Sequence, residues 1–316
     1  MTRRTTSLRR ELSALREIVG IYRELRPDVV HHVAIKPVLY GSIAARFAGV
    51  SGVVNALTGL GWLFSDNRGM ASAARARVSA ALRVLLRRGE VVVQNPDDLR
   101  VVVNFGIDER AINVIKSAGV ELDRFVPSDE PGGIPVVLLA SRMLWSKGVQ
   151  EFVDAARLLK RRGVRARFVL VGAPDDQNPS AVPEATLRDW NDSGVVEWWG
   201  RRNDMPQVFA LANVVCLPSF YREGVPKVLI EAAACARPIV TTDTPGCREV
   251  VRERENGLLV PPRDVPALAD AIDLLICSPD ERRRMGACGR RIVEAEFSVE
   301  SVVDSTLAVY RRVRGQ

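Results

Sequence analysis

Short apolar runs of β character alternate with amphipathic helical runs along the whole chain. They do so in two series, separated by one proline- and glycine-rich stretch. Alternation of this kind with short links specifies a parallel sheet flanked by helices. In the first series, residues 7–26 place apolar side chains at helical spacing and Pro27 ends the run. A strand is expected over Val29–Ala34, a helix over Tyr40–Ala48 closed by Gly49, and a strand over Val53–Leu57. A basic helix follows over 71–88, then a strand over Glu90–Gln94, then a helix capped by Asn95-Pro96-Asp97. Residues 126–135, Val-Pro-Ser-Asp-Glu-Pro-Gly-Gly-Ile-Pro, read as a linker.

The second series starts at once. Strands are expected over Pro135–Ala140, Arg167–Val171, Val195–Trp199, Val214–Leu217, Pro238–Thr242 and Gly257–Val260. Helices are expected at 148–162, 205–212, 226–236, 247–253, 265–277, 280–295 and Val299–Val313. The fold class is α/β, and 316 residues suffice for two domains of ordinary size.

Charge is uneven. Residues 1–100 hold 16 Lys and Arg against 8 Asp and Glu, while the whole chain carries +7, so the remainder is near neutral. A basic first part points to an anionic partner: membrane lipid, nucleic acid or a phosphorylated acceptor. The helix at 71–88 sets Arg75, Arg77, Arg83, Arg87 and Arg88 among Ala, Val and Leu, a pattern suited to an anionic membrane surface. The five cysteines, Cys216, Cys235, Cys247, Cys277 and Cys288, show no metal-ligand spacing and read as small buried residues. His31 and His32 are adjacent and so face opposite sides of a strand, which argues against a histidine metal site. No apolar run reaches the roughly 18 residues of a membrane span.

Two segments carry chemistry. In Arg222–Glu231, Glu223 and Glu231 are separated by seven residues, with Pro226 between them. Proline suits the first position of a helix, so a helix is expected from Pro226, with Glu231 inside it and Glu223 in the preceding loop. The free amides of the helix start form an anion site, and the two carboxylates can accept from hydroxyls. In Ser141–Gly148, a loop follows a strand and opens a helix, the placement a phosphate-binding loop needs. Arg142 offers a planar fork and Lys147 a point charge, which together would offset a departing diphosphate. No Asp-x-Asp occurs, so the usual cue for a metal-bound nucleotide sugar is absent and no metal or other cofactor is expected.

These two segments resemble the nucleotide-sugar site of the retaining glycosyltransferases of family 4, which have two facing Rossmann-like domains, the GT-B fold. The resemblance spans nearly the whole chain. It implies transfer of a sugar, with retention, from a nucleotide diphosphate sugar such as a UDP-sugar to a lipid-linked or polysaccharide acceptor. It makes Arg142 and Lys147 the diphosphate ligands, Glu231 the ribose ligand and Glu223 the donor-sugar ligand. Gly224, Val225, Pro226 and Lys227 join the donor site, and Gly172, Gly200 and Arg201 line the base. On the acceptor side it implies Lys36, Thr58 and Gly59, the last two standing where many members carry a His-Gly pair.

The implied organisation is an N-terminal acceptor-side domain over 1–128, a nucleotide-sugar domain over 129–297, and a last helix over 298–316 packed back on the N-terminal domain. The implied active site is the cleft between the two. His31–Pro37 and Asn55–Gly61 resemble a subgroup of the family that builds O-antigen, capsule and other lipid-linked oligosaccharides, which implies the cytoplasmic face of the membrane and no nucleic-acid partner. By the same resemblance the first strand matches a middle strand of the sheet. Roughly 80 residues are then expected to be missing from the N-terminal domain, including the glycine-rich turn, and transfer by this chain is expected to be impaired. Two other readings stand beside this one: a nucleotide-sugar epimerase of the same architecture, and a non-catalytic binding protein.

Overall fold

A computed structural model describes residues 8–60, 70–175, 177–221 and 224–315. The chain divides into two units. Unit 1 comprises Met1–Ser117, Arg222–Val225 and Glu300–Gln316, and unit 2 comprises Ala118–Tyr221 and Pro226–Val299.

Unit 1 is built on a parallel sheet in the order β1-β2-β3-β4: β1 (Val29–Val33), β2 (Gly52–Leu57), β3 (Glu90–Val93) and β4 (Ile112–Val114). Helices α1 (Leu8–Leu25), α2 (Ile35–Ala48), α3 (Met70–Leu85) and α4 (Pro96–Asn104) fall before and between the strands. The pleat sorts the core by alternation. Leu57, Val91 and Val93 face Val38, Leu82 and Val102, whereas Val54, Ala56 and Val92 meet Val309 of the last helix, α12 (Val299–Val313).

His31 and His32 take the two faces of β1. His31 Nδ1 pairs with the Tyr310 hydroxyl at 2.7 Å. His32 Nδ1 donates to Asn55 Oδ1 at 2.8 Å, and His32 Nε2 meets the Tyr22 hydroxyl at 3.0 Å. Burial pushes both imidazoles below the ordinary histidine value, so both are held neutral.

Unit 2 carries a six-stranded parallel sheet in the order β10-β9-β8-β5-β6-β7. The strands are β5 (Val136–Ala140), β6 (Arg167–Val171), β7 (Glu197–Trp198), β8 (Val214–Leu217), β9 (Ile239–Thr242) and β10 (Gly257–Val260). Helices α5 (Val149–Arg161), α6 (Glu184–Asp192), α7 (Met205–Ala210), α8 (Lys227–Ala234), α9 (Pro245–Val250), α10 (Val265–Cys277) and α11 (Pro279–Glu296) complete it. From β5 the chain moves outward to β6 and β7, then returns to β8 on the other side and continues to β9 and β10. The strand order therefore reverses between β5 and β8. In open α/β sheets the ligand crevice lies outside the carboxyl ends of the strands at such a switch point.

Several boundaries differ from expectation. The helix expected from Tyr40 begins at Ile35. Pro37 falls in its first turn, where an N–H has no intrahelical partner, so proline is tolerated there. The basic helix ends at Leu85, leaving Arg87 and Arg88 beyond it, and the side chain of Arg75 lies outside the described residues. β4 was not anticipated because three residues carry too little pattern. α6 was not anticipated because it buries only Leu187 and Trp190. The strand expected over Val195–Trp199 shortens to two residues before Gly200, whose φ of 66° turns the chain away. Cys277 is exposed rather than buried, since it is the last residue of α10.

Candidate functional site

The loop after β5 and the segment after β8 lead into the switch-point crevice of unit 2, and they are tied together. Gly148 closes the first loop at φ 75°, and a Cβ there would meet the Pro218 carbonyl oxygen at 2.1 Å. Ser146 O accepts from Phe220 N and from the Ser219 hydroxyl, each at 3.2 Å. Only glycine permits so close a backbone approach with that dihedral.

The loop Ser141–Gly148 spends most of its backbone amides within the fold. Its amides at Ser141, Met143, Leu144, Trp145, Lys147 and Gly148 donate to Val171, Ala173, Arg142, Ser180, Leu144 and Trp145 carbonyls at 2.8–3.0 Å. The loop stands where a phosphate-binding loop is expected, between β5 and α5, with six of its amides already engaged. Its backbone hydrogen bonds lock it against the 173–182 segment, where Val182 N returns a bond to Met143 O at 2.9 Å.

Arg142 is exposed, and its Nη1 donates to Asp175 Oδ2 at 2.8 Å. Asp175 was not singled out in the sequence, because a carboxylate in a Pro-Asp-Asp-Gln-Asn stretch reads as turn chemistry. Lys147 is half-buried in a single 3-10 turn, Trp145–Lys147.

Glu231 is the fifth residue of α8. Its side chain is only 14% exposed, with Lys227 Nζ 3.7 Å away. Burial pushes its carboxyl above the usual range, and Lys227 and Arg124 pull it back. A half-buried carboxylate with one distant cation retains lone pairs for hydroxyl donors. Pro226 is the cap of α8 rather than its first residue, with extended backbone, and Lys227 starts the helix. Pro226 is buried and Lys227 exposed. Glu223, the other carboxylate of the pair, lies outside the described residues.

At the carboxyl end of β6, Gly172 has φ 143°, and a Cβ there would stand 1.8 Å from Ser141 O. Its N–H donates to Gly200 O at 2.8 Å, and its carbonyl accepts Trp198 Nε1 at 2.8 Å. Gly172 and Gly200 are thus brought together beside the Ser141 loop, and exposed Arg201 follows them. Trp198 is committed to this backbone contact, and Trp199 Nε1 donates to Glu197 at 3.1 Å.

Thr244 caps α9 and Pro245 opens it. The Thr244 hydroxyl is buried without a partner among the described residues. Glu151, in the first turn of α5, also has a buried oxygen without a partner there, and burial raises its carboxyl. Arg263, beyond β10, stacks on Phe220 at 4.2 Å.

The remaining candidates belong to unit 1. Lys36 Nζ is held by Glu11 Oε1 at 2.9 Å and stands over the Tyr40 ring at 5.6 Å, so it is an ion-paired residue in the first turn of α2. Thr58 is exposed and Gly59 half-buried, both just after β2. Gly224 and Val225 are buried in unit 1, and Gly224 sits against the Thr58 carbonyl. Among the described residues no cluster of three or more His, Cys, Asp or Glu could hold a metal ion, and no helix is long and apolar enough to cross a membrane.

Residues 134–278 match the family model of group 1 glycosyl transferases, and residues 1–94 match that of glycosyl transferase 4-like domains. The chain is 30% identical over 311 residues to an N,N'-diacetylbacillosaminyl-diphospho-undecaprenol alpha-1,3-N-acetylgalactosaminyltransferase of Campylobacter jejuni, a match covering 94% of this chain and 80% of that one. It is 29% identical over 180 residues to the alpha-D-kanosaminyltransferase of Streptomyces kanamyceticus, covering 57% of this chain and 46% of that one. Among solved structures it superposes on HepE of Anabaena in complex with UDP with a TM-score of 0.77 at 22% identity, covering 93% of this chain and 81% of that one. It superposes on sucrose-phosphate synthase of Thermosynechococcus elongatus with a TM-score of 0.82 at 23% identity, covering 95% and 77%.

Proposed function

Because this chain belongs to the glycosyltransferases of the GT-B fold, we propose that it moves a sugar from a UDP-sugar to a lipid-linked or polysaccharide acceptor, with retention of anomeric configuration. The observation that carries this reading is the pairing of two elements at the switch point of unit 2. One is the locked loop after β5 that presents Arg142 and Lys147, and the other is the start of α8 with half-buried Glu231 one turn inside. Cationic side chains for a diphosphate and a carboxylate for a ribose diol are the minimum a nucleoside diphosphate requires. The Campylobacter relative carries an undecaprenyl diphosphate saccharide in its name, which supports a lipid-linked acceptor. The Anabaena structure holds UDP, which supports the uridine nucleotide. Both curated relatives are named as transferases, and that favours transfer over epimerisation or plain binding.

In this reading Arg142 and Lys147 balance the charge that develops on the leaving diphosphate without a metal. Glu231 accepts from the ribose hydroxyls, Glu223 meets the donor sugar, and the backbone from Gly224 to Lys227 lines the donor. Gly172, Gly200 and Arg201 border the base. The acceptor oxygen bonds to the anomeric carbon on the face the diphosphate leaves, and the leaving phosphate oxygen takes the acceptor proton. Lys36, Thr58 and Gly59 lie on the acceptor side, Lys36 giving up Glu11 if it meets an acceptor phosphate. The setting is the cytoplasmic face of a membrane, with the basic helix α3 toward anionic lipid. Incubation with a panel of nucleotide sugars tests this. A UDP-sugar raises the melting temperature and is consumed when a polyprenyl-diphosphate saccharide is added. Stabilisation by no nucleotide sugar, or donor turnover that ignores every acceptor, contradicts it.

A further inference from the structure

We propose that unit 2 holds a second ligand site, at the edge of its sheet opposite the switch-point crevice, and that this site takes a small monocarboxylate. The proposal stands on residues that the donor-site reading does not use. A cavity of about 180 Å³ lies between residues 128–130, the turn at Ala236–Pro238 and the first half of α11. Asn213 and Pro238, which precede β8 and β9, put it at the amino ends of the strands. The turn is shaped by Ala236, whose φ is 54°. A Cβ on Gly286 would meet the Ala236 carbonyl oxygen at 2.0 Å, so α11 lies flush on that turn and sets Arg282, Arg283 and Ala287 around the cavity.

Two of the lining arginines are buried, Arg237 at 3% exposure and Arg282 at 6%. Arg282 is balanced. Its Nε pairs with Glu130, and its Nη1 donates to Leu275 O at 2.6 Å and Ile276 O at 2.7 Å. Glu130 Oε1 also accepts from Asn213 Nδ2 at 2.7 Å. Arg237 is not balanced. Its Nε donates to Phe209 O at 2.9 Å, and its Nη2 donates to Ser128 Oγ at 2.6 Å, Asp129 O at 3.2 Å and Ala210 O at 3.5 Å. Every one of these acceptors is neutral, and no carboxylate among the described residues forms an ion pair with Arg237. Its Nη1, and Nη2 of Arg282, have no hydrogen-bond partner among the described residues, yet neither atom is sealed from solvent.

Holding the 128–129 segment to the end of α7 accounts for Nε and Nη2 of Arg237. It leaves Nη1, and the charge itself, unused. Burial pushes this guanidinium below its ordinary value. A buried cation without a counter-ion is costly, so the cavity beside it is suited to an anion. The charge sets the ligand. Arg282 is matched by Glu130 and Arg283 by Asp280, which leaves one positive charge, that of Arg237. A carboxylate supplies one negative charge and accepts from guanidinium N–H groups in its own plane. Ala236, Pro238 and Ala287 offer an apolar wall to a short carbon chain, and the volume admits only a few heavy atoms. Asp129 is exposed at the rim, where water and salt weaken its repulsion of an anion.

The test is ligand-observed NMR titration of the full chain, beside melting curves, with propionate, its neutral match propionamide and inorganic phosphate as probes. Propionate is expected to bind at least about tenfold more tightly than propionamide and to raise the melting temperature. Ala287→Leu fills the cavity from an exposed helical position without removing a hydrogen bond. It is expected to melt as the unchanged protein does and to weaken propionate binding at least about tenfold. Arg237→Gln is expected to erase the preference for propionate over propionamide; should that variant not fold, Ala287→Leu decides. Asp129→Asn is expected to bind propionate equally or up to about threefold more tightly. Equal binding of propionate and propionamide, or binding of neither, overturns the proposal. So does propionate binding that survives unchanged in Ala287→Leu or weakens in Asp129→Asn. Phosphate bound more tightly than propionate overturns the assignment of a monocarboxylate. None of these outcomes touches the donor-site reading, which UDP binding tests separately.

Discussion

The loop after β5 and the entry to α8 both face the switch point of unit 2, yet they offer an anion different things. In Ser141–Gly148, six amides are already engaged with carbonyls. In the proposed reading the loop's contribution to an anion is its cationic side chains, Arg142 and Lys147. At α8 the order is reversed: the first turn of a helix leaves amides without intrahelical partners, and its nearest cation, Lys227, stands beside a buried carboxylate. In the proposed reading, charge neutralisation and hydroxyl recognition are divided between these two elements. A site divided in this way tolerates change very unevenly.

The largest expected effect is at Glu231. Its side chain is mostly buried, so Glu231→Ala removes a desolvated hydrogen-bonding charge, a loss of about 2–5 kcal/mol, or roughly 30-fold to several thousandfold in donor binding. Turnover at limiting donor by Glu231→Ala within a few-fold of the unchanged enzyme would break the comparison at its α8 side.

Gly148→Ala comes next and acts on the β5-loop side. The added Cβ meets Pro218 O at 2.1 Å with an unfavourable dihedral, so the two loops must separate. A loss of roughly 2–4 kcal/mol in the stability of unit 2, read as a drop in its melting temperature, is expected. An unchanged melting curve would mean that the loops are not tied as described.

Unit 1 supplies a control that leaves the nucleotide site untouched. His31 and His32 are held neutral by burial, so the unfolded chain binds protons that the fold refuses. Stability from this source is complete above the ordinary histidine value of 6.5 and is lost as pH falls through it toward the lowered folded values. Melting of unit 1 measured from pH 8 down to pH 5 should decline across that window. The double variant His31→Gln, His32→Gln should lose that dependence.

The smallest effect is expected at Asp175. It neutralises Arg142 across an exposed pair, and such pairs contribute at most about 1 kcal/mol. Asp175→Asn is expected to leave UDP binding equal or up to roughly fivefold tighter, more so at low salt. Clear weakening would recast Asp175 as a residue that aims the Arg142 fork.

Much of this was legible in the sequence. The strand–helix period located the strands of unit 2 to within one residue, with β7 the exception at two, because Val and Leu runs between helical stretches leave little ambiguity. Asn95-Pro96 fixed the start of α4 through side-chain capping. Arg142 and Lys147 stand out as charges that follow an apolar strand, and Glu231 as a carboxylate inside a helix announced by Pro226. What was not legible depended on contacts distant in sequence. That the Ser141 loop spends its amides on residues 171–180 is invisible locally. That Gln94 meets Val225, 131 positions away, has no local signature at all. The early start of α2 was missed because Pro37 reads as a breaker, although its position in the first turn makes it harmless.

The central claim is that side chains of the β5 loop, not its backbone, hold the diphosphate. Its most direct test is calorimetric titration of UDP and of uridine, in the presence of a chelator, into the unchanged protein and into the Arg142→Ala, Lys147→Ala double variant. The expected result is that UDP binds more tightly than uridine to the unchanged protein without any metal, and that this advantage falls by at least about tenfold in the variant while uridine binding is kept. An advantage of UDP over uridine that survives in the variant would contradict the account and return the diphosphate to backbone amides.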